Sequence, residues 1–174
     1  QSNGFCGIYS LSMDEIIKEV RVVDGIDCMY PQIVESKLFF VERVDKGANR
    51  EYTIKSCKYP ENTEPDVLIR TVCDRQIVFL KMNSCNKGYF LEYNVIQTTV
   101  TFCYHSITYD GAWQENKLFT FDLPISLFSD SPDRFFESLL PFLPRHIDDA
   151  IYYSNITADQ KLLLYAYDLR TLQL

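Results

Sequence analysis

At 174 residues, with 47% hydrophobic and 24% charged content, the chain has the composition of a single globular domain able to bury a core without staples. Its formal charge of −7 argues against a surface for phosphate backbones, which needs clustered Lys and Arg. No stretch approaches the roughly 20 apolar residues of a bilayer-crossing helix, so neither nucleic acid nor a membrane span is expected.

Residues 8–23 admit two readings. Ser12 and Glu15, followed by Ile16, Ile17 and Val20, have the spacing of a capping box and a short helix. Alternatively, 8–13 and 17–23 are two strands joined at Asp14 and Glu15, with period-two alternation through Val20 and Val22. Residues 37–44 run apolar, 45–49 have turn chemistry and 51–57 return, which predicts a hairpin. Pro60 and Pro65 make 58–65 a loop, because neither fits inside a sheet. Residues 67–73 and 75–82 read as a pair of strands across Asp74; 83–88 reverses the chain, and 89–93 and 98–104 are β-branched or aromatic strands. Residues 106–109 and 118–123, then 150–154 and 164–172, repeat the hairpin pattern. One segment differs. Near 131–140, Asp130 or Ser131 can cap, Pro132 suits a first turn, and Phe135, Phe136, Leu139 and Leu140 form an apolar stripe before Pro141, predicting a short helix.

First strands begin near Leu38, Ile77, Ile107 and Ile151, and second strands near Tyr52, Phe90, Leu118 and Leu164. A second-strand sequence at Ile8 has no first strand before it. The second strands recur at about 39 residues on average, close to the period of propeller blades. The stretches Phe119-Thr120-Phe121-Asp122-Leu123 and Tyr165-Ala166-Tyr167-Asp168-Leu169-Arg170-Thr171 resemble the third-strand signature of kelch-type and related β-propellers, with weaker versions at 90–95 and 8–13. The resemblance implies a mainly β chain of antiparallel hairpin repeats, propeller-like, with four to five blades or a partial propeller. The hairpins alone would equally build a β-sandwich or an up-and-down barrel. Residues 1–174 are read as one β-rich domain, which can be an excised segment of a larger protein, since Gln1 stands where an initiator Met would.

The function expected of such an architecture is a non-catalytic protein–protein interaction module. Its candidate loops, 45–50, 84–88, 110–116 and 154–160, carry Arg50, Lys87, Trp113, Glu115 and Asp159. The expected partner is another protein or a second copy, because an open ring leaves sheet edges to be covered.

A different chemistry is suggested by Gln1-Ser2-Asn3-Gly4-Phe5-Cys6-Gly7, which resembles the nucleophile segment of ubiquitin-like-protein-processing cysteine proteases. That resemblance implies a thiol hydrolase using Cys6, with His105 or His146 as base. Cys103 and His105 stand two apart, on one face of a strand, where an imidazole could lower a thiol pKa; a buried Cys beside an edge His is the plainer account. Asp148 and Asp149 read as a loop entering a strand, and Asp122 and Asp168 as turn-holding carboxylates. A third reading, from the barrel alternative, is a small-molecule-binding cavity.

The six cysteines show no Cys-x-x-Cys or Cys/His spacing of a zinc site, so no metal is expected, and without a glycine-rich phosphate loop no cofactor is expected. As small buried hydrophobes the cysteines suit an intracellular location. The sequon Asn155-Ile156-Thr157 keeps a secreted alternative open.

Overall fold

The computed structural model describes residues 7–11, 19–24, 27–46, 49–59, 64–71, 75–156, 159 and 161–173. Their strands form four antiparallel sheets, each ordered as the chain runs: β1 (Gly7–Leu11) with β2 (Glu19–Asp24); β3 (Cys28–Val34), β4 (Lys37–Lys46), β5 (Asn49–Lys58) and β6 (Asp66–Arg70); β7 (Gln76–Ser84), β8 (Lys87–Ile96), β9 (Thr99–Tyr109) and β10 (Trp113–Pro124); β11 (Arg145–Ile147), β12 (Ala150–Ile156) and β13 (Leu162–Asp168). One helix, α1 (Pro132–Leu139), interrupts them. Among the described residues no sheet closes into a barrel. For 19–24 the strand reading holds over the helical one, since β2 pairs with β1 from Gly7↔Asp24 to Leu11↔Glu19.

The chain divides into two units, one taking residues 1–93 and 104–117, the other 94–103 and 118–174. In the first, the apolar run of β4 is buried on both faces. Phe39 and Val41 join Tyr52, Ile54, Leu68, Ile77, Leu80, Met82, Phe90 and Ile107 in the main core. Leu38 and Phe40 face the other way, against Cys57. Each such burial contributes roughly 1.5–3 kcal/mol, which is why this strand reads as continuous rather than alternating.

The expected pairing across Asp74 is not formed. β6 pairs with β5 (Ile54↔Ile69) and β7 with β8 (Leu80↔Phe90), so the chain changes sheets between them. Leu68 and Ile77 explain the difference: both are apolar, and they share the core across facing sheets instead of lying edge to edge. The Gln32 side chain bridges those sheets, donating from Nε2 to the Leu80 carbonyl at 2.6 Å and accepting the Met82 N–H at 2.9 Å. One amide thus satisfies two main-chain groups that no neighbouring strand reaches.

β3 carries Pro31, with a register shift between Met29 and Gln32, and Tyr30 at φ 54°. Proline is tolerated there because β3 is an edge strand. Its turn to β4 uses Glu35 and Ser36 at φ 49° and 63°, the left-handed pair of a two-residue hairpin that Asn-Gly more often supplies. Gly88, after the β7–β8 turn, has a different reason for its identity. A Cβ there would come within 2.8 Å of the Lys81 carbonyl oxygen and collide with the Met82 side chain.

In the second unit the aromatic motifs pack on each other. Tyr153 lies centrally, with ring centroids 4.7 Å from Phe119, 4.8 Å from Phe121 and 5.5 Å from Tyr165. Phe119 also meets Tyr167 at 4.9 Å, and Phe121 stacks on Phe102 at 4.8 Å. Period-two spacing puts each pair of aromatics on one face of its strand.

α1 begins at Pro132 as its sequence predicts. Ser131 occupies the N-cap position but makes no side-chain cap bond; its carbonyl accepts the Phe135 N–H at 2.9 Å. Leu139 is fully buried and Phe135 meets Phe128, while Leu140 turns outward. Pro141 falls in the 3₁₀ turn that ends the helix.

Candidate functional site

The most polar place in the first unit's interior is built around His105 on β9. Its Nε2 lies 3.0 Å from Glu92 Oε1 on β8, and its Nδ1 2.7 Å from Glu115 Oε1 on β10. Glu92 also accepts from Arg75 Nη1 at 2.8 Å. The Glu92 and His105 side chains are each 3% exposed, Glu115 and Arg75 36% and 49%, so the group runs from the interior to the surface. Phe90 stacks on the imidazole with centroids 4.6 Å apart and planes 4° from parallel.

A ring nitrogen facing a carboxylate donates its proton. Each imidazole nitrogen thus has a carboxylate oxygen within 3.0 Å, and Arg75 adds a cation beside Glu92. The hydrogen bond from His105 holds the Glu115 carboxyl below its usual range, against the opposing effect of burial. Buried charges persist only when paired in this way. This arrangement ties β8, β9 and β10 to each other and engages both ring nitrogens of His105 with carboxylates.

The loop residues fall at different places. The turn at Cys85 and Asn86 lies beside the β9–β10 turn, with the Tyr109 N–H donating to the Asn86 carbonyl at 2.9 Å. The β3–β4 turn joins them, since the Cys85 thiol donates to Glu35 Oε2 at 2.9 Å. Lys87 is exposed at this end, its Nζ 5.9 Å from the Tyr89 ring centroid. Trp113 opens β10 rather than sitting in a turn; it is half-buried against the main core and 5.4 Å from Tyr109. Glu115 likewise lies within β10, its carboxylate turned to His105.

Arg50 also lies in a strand rather than a turn, at the start of β5 opposite Asp45, at the far end of β4 from the β3–β4 turn. Its Nε lies 3.4 Å from Asp45, and its guanidinium, with that of Arg43, bonds the Tyr52 phenol and opposes the rise that burial imposes on that group. Lys87 and Trp113 are therefore brought to one end and Arg50 to the other. In the second unit Asp159 pairs with Lys161 at 2.7 Å in the β12–β13 turn.

Cys6 lies outside the described residues. His146 is half-buried on β11. Cys103, on β9 two residues before His105, is half-buried, and Cys57, Cys85 and Cys103 are free thiols. Burial raises the Cys57 thiol pKa, and the hydrogen bond to Glu35 raises that of Cys85, the opposite of an activated nucleophile.

Asp148, at φ 51°, makes the β11–β12 turn with Asp149. Asp168 Oδ1 accepts the N–H groups of Arg170 at 2.8 Å and Thr171 at 3.3 Å, closing the turn after β13, and these bonds lower its pKa. Asp122 is exposed within β10.

Sequence reasoning placed Glu92 and Arg75 in strands and missed their role. The available signal was a Glu inside the apolar run of β8, since a charge amid buried neighbours demands a partner. No family model matches the chain, and no curated protein matches it either.

Proposed function

We propose that the chain is a non-catalytic protein-binding module whose successive meanders act as propeller-type blades and offer their turns to a partner protein. The observation that carries this reading is strand order. The longer sheets run β3–β4–β5–β6, β7–β8–β9–β10 and β11–β12–β13 with no crossover between them, whereas a Greek-key sandwich shuttles strands between its layers. The kelch-like tetrads fit the same reading, as members of the aromatic packing that a stacked blade needs.

The binding end is the one where the β3–β4, β7–β8 and β9–β10 turns meet. It offers Lys87, the 46% exposed Tyr109 and the edge of Trp113, and aromatic and cationic side chains of this kind dominate protein contacts. Free thiols at Cys57, Cys85 and Cys103 support an intracellular setting.

A photo-crosslinking residue placed at Lys87 or at Gly111, and as a control at Arg50, tests the assignment in extracts of the source cells. A discrete adduct at 87 and 111, the one at 111 lost with Lys87→Glu, and none at 50, is expected. Equal labelling at both ends, or no adduct at the turns, would refute it.

A further inference from the structure

The free edge of β13 is built to pair with another strand. Asp168 donates its N–H to the Gln173 carbonyl at 2.9 Å and accepts the Leu172 N–H at 2.8 Å, so its main chain faces away from β12. Leu169 confirms the phase, since its N–H turns back to the Asp149 carbonyl at 2.8 Å. Along a strand these directions alternate. Leu162, Leu164 and Ala166 therefore aim their N–H and C=O groups at the open edge, while Leu163, Tyr165 and Tyr167 bond to β12. Among the described residues Gln173 alone pairs with that edge, opposite Asp168.

The side chains there are equally unprotected. Leu162, Leu163 and Leu164 are 60%, 43% and 72% exposed, a contiguous apolar run of the kind rarely left to water without use. Among the described residues, the edges of β3, β6 and β10 carry the usual guards: Pro31 and a bulge on β3, Asp66 and Arg70 on the short β6, Glu115, Lys117 and Asp122 on β10. Residues 162–167 hold no charge and no proline.

The geometry points to a second copy of this chain as the occupant, with β13 pairing antiparallel to β13 about a two-fold axis at Leu164. A two-fold axis perpendicular to a sheet requires opposed residues to share a face, so only registers pairing even with even and odd with odd positions are allowed. Centring the unblocked stretch sets Leu164 against Leu164, Leu162 against Ala166 and Leu163 against Tyr165. Large side chains meet small or apolar ones and no like charges oppose. The edge is self-complementary, and two three-stranded sheets become one of six strands. This pairing is independent of the turns proposed to bind a partner.

The test is sedimentation velocity of the whole chain over about a hundredfold range of concentration, with register read by single cysteines. Opposed hydrogen-bonded residues have Cα atoms about 5.5 Å apart, within disulfide range, so Leu164→Cys should yield a mapped 164–164 cross-link on oxidation. Ala166→Cys should not, because its copies lie about 13 Å apart, four residues along the strand. Leu164→Lys, which sets two ammonium groups side by side, should weaken the dimer at least tenfold, with folding checked by circular dichroism. A monomer at every concentration, a dimer indifferent to Leu164→Lys, or cross-linking at 166 as fast as at 164 would overturn the inference. The cysteine pair decides the matter even if the lysine variant fails to fold.

Discussion

Replacing Glu92 by Gln probes whether the His105 group holds the first unit together. Glu92 is almost wholly buried and accepts hydrogen bonds from both His105 and Arg75. Removing one partner of a buried pair typically costs 3–5 kcal/mol, because the other charge is left uncompensated. Here Arg75 is half exposed and water recovers part of its loss, and Glu115 still faces the second nitrogen of His105. The lower end, about 3 kcal/mol, is the expected cost. With a urea slope of about 2 kcal/mol/M, the unfolding midpoint should fall by about 1.5 M. Trp113 is the only tryptophan of the chain and packs on this unit's core, so its fluorescence reports the transition of that unit. A double-mutant cycle with His105→Gln should give a coupling of about 2 kcal/mol. A midpoint shift below about 0.5 M together with additive single variants would show that the quartet is ornamental and that burial of Phe90 and Ile107 alone organises the strands.

Four further outcomes follow from the same geometry. Glu115→Gln should destabilise at neutral pH but match the parent in acid. A carboxyl whose folded pKa is lowered stabilises above its unfolded value of 4.5 and loses that contribution as pH falls through the folded value, which urea midpoints against pH will trace. Gly88→Ala should cost about 1–3 kcal/mol in the same assay, because the added carbon meets the Lys81 carbonyl rather than a movable side-chain tip. Tyr153→Ala should remove about 3–5 kcal/mol from the second unit, read by near-ultraviolet circular dichroism, since three rings lose their common neighbour. Alkylation of Cys85 should rise only at a pH above that of an ordinary thiol, and Glu35→Gln should move the profile down, as followed by peptide mass spectrometry.

The mainly β character, the antiparallel hairpins and the helix after Ser131 were legible because they rest on local chemistry. Apolar runs, turn residues and a proline in a first helical turn act within a few positions of themselves. β3 was not legible. Its turn carries Glu35 and Ser36 at positive φ where Asn-Gly would have announced it, and its strand holds Pro31, which sequence rules set against strands. The change of sheet between β6 and β7 escaped for another reason. Edge pairing and face packing of two apolar strands have the same sequence pattern, and only the pairing of β6 with β5 and of β7 with β8, with Leu68 and Ile77 in one core, decides between them. Glu115 was read as a loop residue because hydropathy cannot register that β10 starts at Trp113, which turns the following glutamate toward a histidine on the adjacent strand.

Under the proposed function, the residues of the recurring aromatic motif and those offered to a partner are different ones. Phe119, Phe121, Tyr165 and Tyr167 carry the aromatic motif, and Tyr153 packs against three of those four. A residue engaged in such packing is not available to a partner, and the same holds for Glu115 in its pairing with His105. The proposed recognition then falls to positions outside that motif. Lys87 and Tyr109 are exposed at one end of the first unit, beside turns whose backbone bonds to each other through Tyr109 and Asn86. A main chain held in that way keeps exposed side chains in place without using them. Lys87→Glu should therefore leave the urea midpoint within about 0.3 M of the parent, since surface charges away from special contacts change stability little, while still abolishing the adduct at that end. A variant that lost stability and binding together would show the turn to be part of the frame, and the separation between frame and recognition surface would fail with it.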